Sequence, residues 1–146
     1  MVDDTLGLTE NHLRGLAVTL GKLAQYLCEF SDWADGRAYE APMYREINPL
    51  TEEQKQAIRS EVRELYRIVS DMEERLNLKP MHQSVPQIIW ATCAVARQWI
   101  IELESRYMKR YGPVDPTAAA YLDPLVKEIE SRIRRISGVV TGRNPE

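Results

Sequence analysis

Leu13, Leu16, Leu20, Leu23, Leu27 and Phe30 follow one another at alternating steps of three and four. A spacing of about 3.5 residues keeps an apolar seam on one side of a helix, and that seam is buried by packing against another helix. The same rhythm returns at Ile58, Val62, Leu65, Val69, Met72 and Leu76, and again at Ile89, Cys93, Ala96, Ile100, Leu103 and Tyr107. No stretch alternates apolar and polar residues over a useful length, and no segment repeats. Helices that each need a neighbour, in a chain of 146 residues, predict one all-α domain over 1–146 with no metal or disulfide required for stability.

Local signals set the boundaries. Thr9 stands as N-cap of the first helix, and "SDWADG" ends it with Gly36 near the C-cap. Gly15 and Gly21 weaken this helix unless they let a neighbour come close. Residues 37–50 form a connection longer than usual, with Tyr39, Met43, Tyr44 and Ile47 too apolar for a solvated linker. They predict a strap lying across the bundle. Thr51 with Gln54 makes a capping box for the second helix, whose other faces carry charges at helical spacing. "NLKPMHQ" breaks it, and Ser84 with Gln87 reads as a second capping box. The third helix then runs to Tyr111, where "YGP" stops it. Asp115-Pro116 and Asp123-Pro124 each read as an N-cap followed by proline. They predict a short turn through "TAAAYL", then a final helix with Leu125 or Val126, Ile129, Ile133 and Ile136 inward and Gly138 at its end. The fold expected is an antiparallel four-helix bundle with a strap between helices 1 and 2, a Pro-broken entry to helix 4, and frayed ends at 1–7 and 139–146.

The third helix raises the functional question. Beside its seam, one flank carries Ile88, Val95 and Trp99, and the opposite flank carries Trp90, Ala94, Ile101 and Met108. Its apolar arc spans roughly 240°, wider than a helix of a small bundle needs to bury. Either the strap, a second copy of the chain or a small apolar ligand must cover the surplus. The candidate binding residues are Ile88, Trp90, Trp99 and Ile101.

Catalytic and cofactor motifs are sparse. There is no Glu-x-x-His pair for a di-iron bundle, and neither Cys28 nor Cys93 has a CxxC or nearby His, so neither metal nor cofactor is expected. Glu61 with Glu64, and Glu29 with Asp32, sit one turn apart as carboxylates do in all-α nucleotide pyrophosphohydrolases, but such pairs are common on solvated faces. In "RLNLKPMH", Arg75 and His82 are separated by six residues. Their separation resembles that of the Arg and His of HEPN-type helical ribonucleases. The resemblance implies His82 near a scissile phosphate and Arg75 stabilising its charge. It departs from that family in Leu76, where a polar residue usually follows the arginine, and in Pro80.

Arg106, Lys109 and Arg110 end the third helix, and Arg132, Arg134 and Arg135 end the fourth, where cations complement the helix dipole. The net charge of -3 gives no general attraction to nucleic acid or anionic lipid. Two cysteines within apolar helical patterns, a start without a basic leader and no membrane-length apolar run predict a cytoplasmic protein. The expected function is non-enzymatic: an adaptor or regulatory protein acting through protein contacts, as a homodimer. An RNA-binding or RNA-cleaving domain using Arg75 and His82 is the alternative, and an apolar-ligand sensor the third.

Overall fold

The computed structural model describes residues 5–142 and is mostly helical. The chain divides into two units, residues 1–81 and 82–146. Of the frayed ends expected at 1–7 and 139–146, residues 1–4 and 143–146 lie outside the described residues, whereas 139–141 are helical.

The first unit is built on α1 (Glu10–Ala34) and α2 (Glu52–Leu76). They run antiparallel: Cys28 Sγ lies 3.4 Å from the Tyr66 hydroxyl, and Arg59 Nη2 donates to the Ala34 carbonyl at 2.6 Å, so residues later in α1 meet residues earlier in α2. Burial and the bond to Cys28 push the Tyr66 phenol up to about 12. Leu27, Ala34, Val62 and Leu76 are the buried centre of this pair. Both N-termini close as capping boxes, because Thr9 and Thr51 each accept from the amide three residues on. At Thr51 the reciprocal acceptor is the Gln54 side chain; at Thr9 it is His12 Nδ1, 3.1 Å from the Thr9 amide. Gly15 meets nothing, whereas a Cβ on Gly21 would come within 3.1 Å of Met81. Gly21 thus has a close neighbour, but it is the side chain of Met81 beyond the end of α2, not another helix.

The strap contains a small hairpin, absent from the sequence reading. β1 (Glu40–Ala41) pairs antiparallel with β2 (Tyr44–Arg45) around Pro42 and Met43. Met43 has φ of 67°, which suits a type II turn with proline before it. Two side chains tie the strap to the end of α1. Asn48 Nδ2 donates to the carbonyls of Trp33 (2.8 Å) and Arg37 (3.0 Å), satisfying groups a helix terminus leaves open. Glu46 accepts from Trp33 Nε1 (3.1 Å), the Tyr39 amide (3.0 Å) and the Tyr44 hydroxyl (2.7 Å). The bonds from Tyr39, Tyr44 and Trp33 hold its carboxyl below the usual range.

The second unit pairs α3 (Val85–Ile101) with α5 (Pro116–Thr141), again antiparallel. Arg97 meets Glu130, and Ser105 meets Asp123. Cys93 and Val126 are its buried residues. Three expectations are corrected here. Ser84 is the N-cap of α3, but its side chain makes no capping bond; Pro86 in the first turn removes one amide that would need it. The third helix stops at Ile101 instead of Tyr111. Glu104 is extended, and the chain restarts as α4 (Ser105–Met108) and a 3-10 turn (Lys109–Tyr111). Asp123, which reads locally as a cap for its own helix, stabilises that restart. Its carboxylate accepts from the Ser105 amide at 2.8 Å and hydroxyl at 2.7 Å. Finally, 116–141 is one helix with Pro124 inside it, where two segments were expected. Pro124 and Ala120, whose carbonyl loses its helical partner, are both exposed, so water can take the missing donor's place. The helix passes Gly138 and ends at Gly142, which is left-handed at φ of 70°.

Candidate functional site: an apolar face on the second helix pair

One charged residue, Arg97, occurs in the 17 residues of α3. Its guanidinium pairs with Glu130 of α5 at 2.8 Å. Burial alone would push the Glu130 carboxyl up, but the bonds from Arg97 and Arg134 outweigh it and hold it low. This ion pair marks one side of the two-helix unit. Ile88 is nine residues from Arg97, which places it about 180° away around the helix. The flank on that opposite side holds Val85, Ile88, Val95 and Trp99, and all four are exposed.

The same division holds on α5. Leu125 and Ile136 lie five and six residues from Glu130, so both fall on the far side of the helix from the ion pair. Leu125, Ile129 and Ile136 are exposed. Ile129 and Ile136 were expected inward and are not; of the alternatives Leu125 and Val126, it is Val126 that is buried, and Ile133 is half-buried. Because the two helices are antiparallel, their windings run in opposite senses seen from one end, and flanks of the same angular sign share one face. The exposed stripes of α3 and α5 therefore form a single apolar face. Its outer edge carries Arg132, paired with Glu128 at 3.1 Å.

The four candidate residues of α3 divide accordingly. Ile88 and Trp99 belong to this face, and Trp99 is 68% exposed. Trp90 and Ile101 lie on the flank of the Arg97–Glu130 pair, where Ile101 is half-buried and Trp90 remains 53% exposed. The sequence alone leaves open which flank is surplus. The α5 side of the face was missed, because apolar residues wide of a seam look inward until the neighbour's position is known.

The remaining candidates have separate settings. Arg75 is exposed in the last turn of α2, where it lines a shallow cleft with Leu6, Arg67, Ile68 and Asp71. His82 is exposed and falls in the second unit. Arg67 pairs with Glu64 and Asp71, so the carboxylate at 64 belongs to a surface network. Of the two basic clusters, Arg132 and Arg134 pair with Glu128 and Glu130, and Arg106 stacks 4.6 Å from the centre of the Tyr107 ring. Among the described residues, no group of three His, Cys, Asp or Glu side chains is placed to hold a metal ion. No described helix is long and apolar enough to cross a membrane. No family model, curated protein or solved structure matches this chain.

Proposed function

We propose that this is a protein-interaction module, and that the apolar face of α3 and α5 is its contact surface with a second copy of the chain. The observation that carries the reading is the exposed stripe of Val85, Ile88, Val95 and Trp99 on a helix with one charged residue. An exposed apolar area of this extent on a small chain marks a site of association. A helix of 17 residues is about 25 Å long, and two packed helices are about 20 Å wide. That gives roughly 500–600 Å² per copy and about 1,000–1,200 Å² in all, the threshold of a specific pair. The face carries no cluster of one charge sign that would call for an oppositely charged partner, so it complements itself about a two-fold axis. In the pair, two α3/α5 hairpins supply the antiparallel four-helix bundle from two chains. The unpaired thiols Cys28 and Cys93 fit a reducing, cytoplasmic setting. An adaptor or regulatory role follows, with the dimer as the working unit and catalysis absent.

The test is the mass in solution. Light scattering on the wild type gives twice the chain mass of 16.9 kDa, and Trp99→Asp gives one chain with helix content retained. A wild type of single-chain mass at all workable concentrations rules the reading out.

A further inference from the structure

A different region holds the second site. The strap and the end of α1 enclose a cavity of about 400 Å³ lined by Trp33, Tyr39, Tyr44, Glu29, Asp32 and Glu46. That volume suits a small ligand or a single side chain. Tyr39 and Tyr44 are 65% and 55% exposed, so neither ring is there to fill a core. All three aromatic residues are nevertheless tied to one carboxylate. Glu46 accepts from the Trp33 indole N–H, the Tyr44 hydroxyl and the Tyr39 amide. The polar tips of Trp33 and Tyr44 are thereby engaged, which leaves ring surface to the cavity. Two exposed tyrosines and the half-buried Trp33, gathered around one anchor, offer ring surface to a ligand that prefers π faces.

The charge on the cavity narrows the chemistry. Glu46 stays ionised because its bonds to Tyr39, Tyr44 and Trp33 lower its pKa, and the Tyr44 phenol is raised by its bond to that carboxylate. Asp32 is engaged by Arg37 at 2.9 Å. Glu29, one turn earlier on α1, has no ion pair or hydrogen bond among the described residues, so it adds an uncompensated negative charge. An anion is repelled. A bare metal ion would need several free oxygens converging, whereas Glu46 already accepts three hydrogen bonds and Asp32 is engaged by Arg37. An ammonium whose hydrogens are replaced by methyl groups has neither difficulty. It needs no acceptor, its methyl surface packs on rings, and its diffuse charge is attracted to the π faces and to nearby carboxylates.

We propose that this cavity binds a methylated ammonium group. The group comes either free, as in choline, or at the end of a trimethyllysine side chain. The site lies wholly within the first unit.

The experiment follows the Trp33 indole N–H by proton–nitrogen correlation spectroscopy on the full chain, its signal assigned with Trp33→Phe. Choline, tetramethylammonium, a trimethyllysine peptide and 3,3-dimethylbutanol, the uncharged shape mimic of choline, are titrated in turn. The three cations shift the Trp33 signal saturably, and the neutral mimic binds about tenfold weaker or not at all. Glu29→Gln, which disturbs none of the Glu46 bonds, weakens choline several-fold, and Tyr39→Leu weakens it by roughly three- to tenfold. A peptide that binds more tightly than choline assigns the site to a protein side chain; the reverse order assigns it to a free cation. A Trp33 signal that none of the cations moves, or that the neutral mimic moves equally well, overturns the proposal. So does wild-type affinity in both Glu29→Gln and Tyr39→Leu, two variants that leave the strap's anchor in place.

Discussion

The two helix pairs solve the same problem with opposite surfaces. α2 spends twelve of its 25 residues on charge and turns one seam inward, with Val62 and Leu76 buried and Arg67 bridging Glu64 and Asp71 on the outside. α3 has one charge in 17 residues and the same kind of seam, buried at Cys93. Away from its seam, α2 is therefore suited to water. α3 has no such provision, and its one charge is committed to Glu130. A seam tells where a helix meets its nearest neighbour; the composition of the remaining faces tells whether a further neighbour is needed.

That contrast is broken most severely by a charge on the apolar face. Trp99→Asp, and equally Val95→Asp, weakens self-association by roughly 100-fold or more, because an unpaired carboxylate must lose its water at the centre of the contact. A charge at a similarly exposed position of α2, as in Ile68→Asp, leaves the mass unchanged. Loss of association in both variants removes the distinction.

The next largest effect concerns the Arg97–Glu130 tie across α3 and α5. Glu130→Ala leaves Arg97 without its carboxylate on a partly buried flank and costs about 1–2 kcal/mol in chemical denaturation. The double variant with Arg97→Ala loses less than the two single losses together. Additive losses deny the coupling.

A smaller, local effect belongs to Asp123. Asp123→Ala removes both acceptors of Ser105, so the Ser105 amide exchanges faster while amides in the middle of α5 keep their protection. The bonds from the Ser105 amide and hydroxyl lower the folded-state pKa of Asp123. The contribution is therefore complete above the ordinary value of 3.8 and is lost as the pH falls through the depressed folded value. Wild type and Asp123→Ala converge in melting temperature at that acid end. A difference that grows on acidification contradicts the assignment.

The smallest effect separates two glycines of α1. Gly15→Ala meets empty space and stabilises by up to about 1 kcal/mol, the helix-propensity difference. Gly21→Ala gives back part or all of that gain, because Met81 must move. Equal gains deny the close approach.

Much of the helical pattern was legible in residues close together in sequence. Thr9 and Thr51 cap as read, the seam of α2 is where its spacing put it, and the long connection does carry apolar groups. What escaped depends on residues far apart. Asp123 looked like a local cap because its real partner, Ser105, is 18 positions away. With that cap invisible, nothing marked the break after Ile101. Pro124 looked like a helix start because the sequence does not show whether the carbonyl it orphans reaches water. His12 was missed at the first cap because the familiar box has Glu or Gln at that place. The cavity beside Trp33 was hidden for the same reason. In sequence Tyr39 and Tyr44 look like apolar strap residues, and Glu29 and Asp32 like a solvated pair, since only the hairpin and Glu46 bring them together.

The central claim is that Trp99 is exposed in the single chain and covered by a second copy. A chain carrying Trp33→Phe and Trp90→Phe reports on Trp99 alone, by acrylamide quenching of its fluorescence across a dilution series with mass measured in parallel. Trp99 should be shielded at high concentration and become freely quenchable as the mass falls to one chain, with the same midpoint. Quenching that is unrestricted in the dimer, or shielding that persists in the single chain, contradicts the account.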